Sequence, residues 1–535
     1  MISRRLRLKS SIIAALSILL LTSASVGQAA EEPHHLRFAN GDNVTTLNPA
    51  LSAETTVGLL SQLTMAYLVR YDKSNRPVPE LATVIPTEKN GGISADGTTI
   101  TWHLRSDAKW SDGVPFDSSD VAFSVAVMQN PSNNVVSHDG FSLVSSVDTP
   151  NRTTAVFHLR TRFAAFMPRF FGSPPGNASL LPRHILAKLP DINHAEYNSL
   201  PVGIGPFRYV SWNRGNSIEM EANPYYFRGQ PRLKKLTYKI VTDENSEITQ
   251  LQTNDIDLLV NLKPASIPRV QSMHDVQLLL TPSYRFIVLA FNTQHPATSD
   301  PTVRKALEMA IDRRSIVTKA NHGLGDVQES FVPSQYFGYE ALPLTKYDVN
   351  AANSLLDRDG WDRGADGIRS KRGQRLTLKL ATVTGAYPLY VELLRSTWSQ
   401  LGVGLDTQTF DPTVFYQPAT GIAFGGRFDA TIYSIQNFPF VYPSLIYACN
   451  RIPPNGLNIP RYCDPQLDAL MNRYEETYDL GKQRSDLTAI ARSIADAVPT
   501  VVLNYADNAF VLRRDVHGFD PNEATFFDNM MNVDI

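Results

Sequence analysis

The sequence predicts an α/β fold that is divided into two or three domains. Segments patterned like strands alternate along the chain with segments patterned like helices, which is typical of α/β lobes. The chain has 535 residues, more than one typical hydrophobic core supports. Two apolar runs, 284–291 and 500–505, are typical of strands buried on both faces. A chain that leaves one lobe and later returns to it would use such strands as crossovers.

Shorter strands are indicated where polar and apolar residues alternate, which is the period of a half-buried strand. This pattern occurs at 98–104, 217–221 and 236–240. The last helix of the chain ends at Pro499, directly before the apolar run at 500–505.

Acidic N-caps mark the helix starts. Asp117 is followed by a second aspartate three residues later, which predicts a helix that continues to about Gln129. Asp300 and Asp464 each precede a proline, a residue favoured at the first helical position. In both cases an apolar stripe follows at helical spacing: Val303, Ala306, Leu307, Ala310 and Ile311 in one, and Leu467, Leu470, Met471 and Tyr474 in the other.

The segment 1–30 has the organisation of a secretory signal peptide. A basic region at 4–9 precedes an apolar run at 12–21, and small residues at 27–30 offer a cleavage site. The apolar run is shorter than the ~20 residues that a membrane span needs. We therefore expect a periplasmic protein that is exported by the general secretory route, while Arg4-Arg5 leaves the twin-arginine route open.

The charge balance excludes two classes of function. The chain has 50 Lys+Arg and 52 Asp+Glu, and loss of the signal segment removes basic residues only. Such a chain offers no basic surface to nucleic acid or to an anionic membrane. A hydrophobic content of 43% and a charged content of 19% are those of a globular protein.

The two cysteines of the chain are Cys449 and Cys463. In an oxidising compartment their spacing predicts one local disulfide. Closure of a loop of about 15 residues is expected to stabilise the fold by roughly 3 kcal/mol. A metal site is disfavoured, because two thiols without a nearby histidine pair supply too few ligands.

Four groups of segments follow one another along the chain at 96–105, 110–116 and 120–124; at 203–207, 223–226 and 254–257; at 289–293, 303–307 and 310–313; and at 462–468. They resemble the family 5 extracellular solute-binding proteins, the dipeptide, oligopeptide and nickel binders of bacterial ABC importers. The first group, with Asp-Gly-Thr-Thr-Ile-Thr-Trp and Trp-Ser-Asp-Gly, is the most diagnostic. Because the groups follow the family's order over almost the whole chain, the chain is identified as a member of this family.

The resemblance implies a two-lobed periplasmic-binding-protein fold of the class II type, cluster C, with two crossover strands. It also implies an extra subdomain inserted in lobe 1. The expected organisation is a signal peptide at 1–30, lobe 1 at 31–75, the inserted subdomain at 76–200, the second part of lobe 1 at 201–283, lobe 2 at 284–505 and a return to lobe 1 at 506–535.

The resemblance also implies how such a protein works. Two lobes close over a small-molecule or peptide ligand, so that binding shifts an open–closed equilibrium. The partners are then a membrane permease and its ATPase subunits. We expect a monomer that needs no cofactor, holds no metal and binds no nucleic acid.

The family's peptide binders supply an aspartate for the amine of the ligand, and this chain departs from that pattern. The resemblance places neutral Asn437, or Gln436, at that position, and no acidic residue occurs between Asp429 and Asp464. We therefore expect an N-blocked or modified peptide, or a non-peptide solute. Aromatic residues of this loop are candidates to hold it: Phe438, Phe440 and Tyr442. Packing of the loop itself is the alternative role for these aromatics.

Four further residues are candidates for contact with the ligand. Tyr284 and Arg285 lie at the predicted crossover, and Arg285 would pair with a ligand carboxylate or form a structural salt bridge. Asp411 is a candidate for the missing negative charge. Asn48 lies in an early loop that lines the cleft in this family, or it serves a simple turn.

Two rival functions stay open. A nickel or haem carrier of the same family would need ligands such as His34-His35, which are expected to lie in a disordered tail. A periplasmic hydrolase is the rival from another class, although the sequence contains no Gly-x-Ser-x-Gly elbow and no His/Cys cluster. We expect a binding protein and not an enzyme.

Overall fold

The computed structural model describes residues 33–535 except 74, 137, 139, 173–177, 337, 418–419, 437–439 and 523–524. The predicted signal segment lies outside the described residues. Residues 34–535 form one compact unit. In this part of the chain no helix has both the length and the apolar character to cross a membrane.

Eighteen strands are formed by the described residues. They are β1 (His35–Ala39), β2 (Val69–Tyr71), β3 (Pro77–Pro79), β4 (Thr99–His103), β5 (Val144–Asn151), β6 (Thr154–Leu159), β7 (Phe207–Asn213), β8 (Ser217–Ala222), β9 (Lys235–Lys239), β10 (Leu258–Val260), β11 (Val276–Phe291), β12 (Asp362–Arg363), β13 (Arg369–Lys371), β14 (Gln374–Arg375), β15 (Thr377–Val383), β16 (Gly404–Phe410), β17 (Ala430–Gln436) and β18 (Thr500–Arg513).

Ten of these strands form the central sheet, in the order β16-β15-β17-β11-β18-β10-β1-β9-β8-β7. Three smaller sheets complete the set among the described residues: β4-β6-β5, β12-β13-β14 and β2-β3. The predicted strands at 98–104, 217–221 and 236–240 are confirmed as β4, β8 and β9 within one or two residues.

The α-helices of the described residues are α1 (Thr55–Thr64), α2 (Ser118–Gln129), α3 (Phe166–Arg169), α4 (Arg183–Leu186), α5 (Glu244–Gln252), α6 (Ile267–Gln271), α7 (Pro296–Ser299), α8 (Pro301–Met309), α9 (Arg313–Ser315), α10 (Val349–Arg358), α11 (Pro388–Gln400), α12 (Pro412–Phe415), α13 (Ser444–Tyr447), α14 (Pro465–Glu476) and α15 (Leu480–Ala497). The three predicted acidic N-caps are confirmed. Asp117 forms a full capping box with Asp120 at the start of α2, and Asp300 and Asp464 accept backbone hydrogen bonds at the starts of α8 and α14.

Strands β11 and β18 are the crossovers between the lobes. They are antiparallel partners from Val276↔Arg513 to Ala290↔Thr500, with a break in register between Pro282 and Phe286. On one side of the break β18 pairs with β10 of lobe 1. On the other side β11 pairs with β17 of lobe 2. The chain therefore passes between the lobes twice, at adjacent points of one sheet.

Both crossovers are longer than the apolar runs that predict them. The runs at 284–291 and 500–505 are only the lobe 2 halves, which are buried almost throughout. The lobe 1 half of β11 is partly exposed, and Asp507 and Asn508 interrupt the apolar sequence of β18. A half-exposed strand does not produce a continuous apolar run, and for this reason the sequence predicts the shorter length.

Apolar side chains cover both faces of the central sheet. In lobe 2, Ile287 and Leu289 pack on one face while Phe286 and Val288 pack on the other, as the period of a strand requires. Two further clusters cover the faces of the sheet in lobe 1. A sheet that is buried on both sides is characteristic of α/β lobes.

The sheet β4-β6-β5 and helix α2 form a subdomain with its own apolar core. This subdomain is attached to lobe 1 by backbone hydrogen bonds. The Ser111 N–H donates to the Gly203 carbonyl at 2.8 Å, and the Val136 N–H donates to the Ala50 carbonyl at 3.0 Å. We therefore expect the subdomain to move together with lobe 1.

The first residues of the described chain do not form a tail, so the prediction for His34-His35 is wrong. His35 begins β1, which pairs in parallel with β9, and its Nε2 lies 2.8 Å from Thr237 Oγ1. His34 Nδ1 lies 2.6 Å from a carboxylate oxygen of Asp534. The partners lie about 200 and 500 positions away in the sequence, so no local pattern of the sequence indicates this contact.

The predicted disulfide is present between Cys449 and Cys463, whose Cα atoms lie 4.5 Å apart. Its removal in the double variant Cys449→Ser, Cys463→Ser is expected to lower the free energy of unfolding by roughly 3 kcal/mol, because the unfolded chain regains the entropy of the open loop. Denaturant unfolding followed by circular dichroism measures the loss. An unchanged midpoint in oxidised wild type and double variant would contradict the assignment of a stabilising bond.

Candidate functional site

Three strands of lobe 2 end at one edge of the sheet. Strand β15 is parallel to both β16 and β17, so the carboxyl ends of all three strands lie on the same side. Ligands of open α/β sheets bind outside such carboxyl ends. The antiparallel crossover β11 enters lobe 2 at the same edge, because Arg285 is the Cα partner of Gln436, the last residue of β17.

Arg285 is exposed at this edge. Its backbone N–H donates to the Ser283 hydroxyl at 3.0 Å. Within the described part of the chain, its guanidinium has no carboxylate within ion-pair distance. The salt bridge offered as an alternative role is therefore not formed among these residues. A guanidinium presents a planar set of donors that matches a carboxylate, so Arg285 offers a binding group to an anionic solute.

Two tyrosines from the start of α11 lie beside Arg285. Tyr387 and Tyr390 pack edge to face with ring centroids 5.5 Å apart. Burial raises the pKa of both phenols, that of Tyr390 to about 12, and the positive charge of Arg285 partly offsets the shift in each. Tyr387 also forms a side-chain hydrogen bond with Ser434 of β17. Both phenols are therefore neutral donors at neutral pH.

Amide side chains hold Tyr390 in place. Its hydroxyl lies 2.9 Å from Asn504 Oδ1 and 2.8 Å from Asn321 Nδ2. Asn504 belongs to β18 and is the register partner of Ile287 in β11. These bonds thus link α11 to β18 and to the turn at Asn321, and they fix the tyrosine that stands next to Arg285. We define the carboxyl-edge site as Arg285, Tyr387, Tyr390, Ser434 and Gln436.

The loop after β17 is only partly described. The candidates Asn437 and Phe438 lie outside the described residues, and Gln436 is exposed at the end of the strand. The ring of Phe440 stacks on Tyr474 with centroids 5.4 Å apart. The guanidinium of Arg169, from the inserted subdomain, lies over the ring of Tyr442 at 5.0 Å. Phe440 and Tyr442 are thus both engaged in packing.

The other three candidates are either buried or engaged in capping a helix. Tyr284 is buried, with 1% of its surface exposed. Asn48 is completely buried in lobe 1, where its Oδ1 accepts from the Ala50 N–H at 3.1 Å and its Nδ2 donates to Asn198 Oδ1 at 2.8 Å. Asp411 is exposed and caps α12, and hydrogen bonds from the Thr413 hydroxyl and N–H hold its pKa below the usual range. The structure therefore brings together Arg285 and Gln436, and it places Asp411 two strands away.

Lobe 1 offers a matching edge where β1, β9 and β10 end in parallel. Glu247 lies at this edge with 3% of its surface exposed. Burial raises the pKa of Glu247 to about 7, and the nearby carboxylates of Glu244 and Asp42 add to the shift. The backbone N–H of Gly41 donates to the Glu247 carboxylate. No pattern in the sequence distinguishes these acids from surface acids.

Among the described residues, no three or more His, Cys, Asp or Glu side chains are arranged to hold a metal ion.

The family model for "Bacterial extracellular solute-binding proteins, family 5 Middle" matches residues 76–451. The oligopeptide-binding protein AppA of Bacillus subtilis (strain 168) is 24% identical over 488 residues, which are 89% of this chain and 87% of that protein. The nickel-binding periplasmic protein of Escherichia coli (strain K12) is 26% identical over 492 residues, which are 88% of this chain and 90% of that protein.

Solved structures share the fold. AppA from Bacillus subtilis in complex with a nonapeptide superposes with a TM-score of 0.76 at 22% identity, covering 94% of this chain and 99% of that chain. NikA from Brucella suis in complex with Fe(III)-EDTA superposes with a TM-score of 0.81 at 20% identity, covering 93% of this chain and 99% of that chain. The expected family and fold class are confirmed, and the chain belongs to the family 5 bacterial extracellular solute-binding proteins.

Proposed function

We propose that this protein captures a peptide or peptide-like solute in the periplasm and delivers it to the permease and ATPase subunits of an ABC importer. In this proposal the segment 1–30 directs export, and the mature protein acts as a monomer without catalysis. Relatives with peptide-binding and nickel-binding names support capture of a small solute. The two-lobed fold supports capture by closure, since a solute that contacts both lobes only in the closed state shifts the protein toward that state.

The observation that carries the proposal is the carboxyl-edge site. Arg285 is exposed where three strands end, with neutral hydrogen-bond donors and acceptors around it. An arginine without a carboxylate partner binds anionic groups in a bidentate manner. We propose that a carboxylate of the solute pairs with Arg285, while Gln436 and Asn437 bind neutral polar groups.

The proposed solute needs no free amine. The loop from Gln436 to Tyr442 supplies no negative charge, and an ammonium buried there without a partner would cost several kcal/mol, roughly the penalty of an uncompensated charge. Backbone amides of a peptide, in contrast, form hydrogen bonds with strand edges and amide side chains. An acidic peptide-like compound with a blocked or missing amine fits this distribution of charge.

Native mass spectrometry of the protein purified from the periplasm of its own host tests the proposal. We expect a one-to-one complex with an organic solute. Methyl esterification of the released solute should add at least one methylene mass, because it carries a carboxyl group. It should not react with an amine-selective reagent. A bound metal ion alone, or conversion of the isolated solute by the purified protein, would contradict the proposal.

A further inference from the structure

Lobe 2 contacts the inserted subdomain through Tyr478, the middle residue of the three that connect α14 and α15. The Tyr478 hydroxyl accepts a hydrogen bond from the Phe163 N–H at 3.2 Å and donates one to the Gly97 carbonyl at 2.9 Å. Its ring packs edge to face against Phe166, with centroids 6.0 Å apart. The guanidinium of Arg162 lies over the same ring at 5.1 Å. One lobe 2 side chain thus contacts two separate segments of the subdomain.

Backbone groups strengthen the same contact. The Ala164 N–H donates to the Glu475 carbonyl at 2.7 Å, and Arg162 Nε donates to the Glu476 carbonyl at 3.1 Å. At Gly97, which has a φ of +71°, an added Cβ would lie only 2.9 Å from a ring carbon of Tyr478. The close approach of the tyrosine therefore requires a glycine at this position.

Two described aromatic residues of the loop after β17, Phe440 and Tyr442, join this contact. Phe440, Tyr442 and Tyr478 all pack against the apolar core of the subdomain. The hydroxyl of Tyr474, on which Phe440 stacks, donates to the Val441 carbonyl at 2.9 Å and fixes the loop to α14. We call this set the clasp: Phe440, Tyr442 and residues 475–478 of lobe 2 with Gly97 and residues 162–169 of the subdomain.

The clasp lies between two parts of the protein that must separate when the cleft opens. Lobe 2 is joined to lobe 1 by the chain at β11 and β18, whose register is interrupted between Pro282 and Phe286, and we infer that this break is the hinge. The subdomain is hydrogen-bonded to lobe 1, so rotation at the hinge separates the subdomain from lobe 2. Every contact of the clasp must then break when the cleft opens.

We propose that the clasp holds the two lobes closed in the absence of solute. The contacts described above join protein to protein, and none of them needs a bound molecule. A protein whose binding-competent state is largely populated before binding loses little affinity to conformational change. Because Gln436 ends β17 and Phe440 follows it by four residues, a solute at the carboxyl-edge site stabilises the lobe 2 half of the clasp. The clasp would act in the same way whatever solute is bound.

Hydrogen exchange of the solute-free protein tests the clasp. Wild type, stripped of solute by unfolding in guanidinium and refolding, is compared with Tyr478→Phe, which lacks the hydroxyl that forms two of the bonds. Exchange of the amides of Phe163 and Ala164 should be about thirtyfold faster in the variant, which is the loss that two ordinary hydrogen bonds account for. The radius of gyration from small-angle scattering should rise at the same time.

Two further variants make the result specific. Arg162→Met removes the cation over the Tyr478 ring and the bond to Glu476. It alters the subdomain side of the clasp, and it should also speed amide exchange and raise the radius of gyration. Tyr447→Phe is the matched control, because it removes a buried tyrosine hydroxyl that lies 2.9 Å from Thr500 Oγ1 within lobe 2. It should leave both readouts unchanged. The proposal would be overturned if the amides of residues 163 and 164 exchanged equally fast in wild type and in Tyr478→Phe. It would also be overturned if neither Tyr478→Phe nor Arg162→Met changed their exchange rate.

Discussion

Replacement of Arg285 by Gln is expected to weaken binding of the native solute about a hundredfold, the effect of truncating one partner of a desolvated, hydrogen-bonded charge pair. The effect should be large because the solute carboxylate would remain in the closed cleft without its cation. Glutamine keeps the size and the hydrogen-bonding character of the side chain and removes only the charge. Isothermal titration calorimetry of the stripped protein with the solute recovered by native mass spectrometry measures the change.

Two companion variants separate charge from geometry. Arg285→Lys keeps the charge but loses the planar pair of donors, so its affinity should lie between those of wild type and Arg285→Gln. Arg395→Gln alters an exposed arginine of α11 that donates to the Leu405 carbonyl and the Thr407 hydroxyl, and it should bind as wild type does. A dissociation constant for Arg285→Gln equal to that of the Arg395 control would remove Arg285 from the site.

The family segments predict the fold well because several of their residues are structural. Asp257 is completely buried, where its carboxylate pairs with Arg37 of β1 and Arg513 of β18. Arg304 is 4% exposed and donates to carbonyls at the ends of α7 and α15. Asn292 donates to the carbonyls of Gly426 and Phe428. Such residues specify how the elements join, and they carry no information about the solute.

The carboxyl-edge site is predictable only in part. Arg285 stands out because it is the one charged residue in an otherwise apolar and aromatic run. Tyr387, Tyr390 and Ser434 do not stand out, since tyrosine and serine are common in ordinary strands and helix starts. They reach Arg285 through the pairing of β11 with β17 and the approach of α11, over separations of 100 residues and more. A one-residue change in that register would point Ser434 to the opposite face.

The roles of the aromatic residues in the loop after β17 also cannot be predicted from the sequence. Phe440 and Tyr442 have the composition of a ligand-binding loop, and the sequence leaves ligand contact and packing equally open. The partners that engage them, Tyr474 and Arg169, belong to a helix of lobe 2 and to the inserted subdomain. Their contact depends on how two distant parts of the chain come together, and local composition does not encode it.

Replacement of Arg313 by Met should lower the free energy of unfolding by about 3–5 kcal/mol at pH 8, the cost of breaking a buried ion pair from one side. Arg313 is 4% exposed and forms ion pairs of 2.7 Å with Glu308 and 2.8 Å with Glu329, which are themselves 2% and 4% exposed. Methionine fills much of the same volume but leaves two buried carboxylates without their shared cation.

The loss should depend on pH in a defined direction. Burial raises the pKa of Glu308 to about 7, and the neighbouring Glu329 adds to the shift. Burial also acts to raise the pKa of Glu329, but the charge of Arg313 and hydrogen bonds outweigh it and hold that pKa below the usual range. Removal of Arg313 takes away the charge that lowers both pKa values, so we expect both folded-state pKa values to rise above the unfolded ones. The folded variant then binds extra protons, and its stability falls as the pH rises through this interval.

Denaturant titrations of wild type and Arg313→Met at pH 5 and pH 8 measure the effect, and the deficit should be clearly larger at pH 8. Arg314→Met is the matched control, because the adjacent arginine is exposed and surface substitutions change stability by about 0.5 kcal/mol or less. If the free energy of unfolding fell by the same amount at both pH values, altered packing and not the charge of the two carboxylates would be the cause. A deficit no larger than that of the Arg314 control would show that the buried cation does not hold the two carboxylates in their charged state.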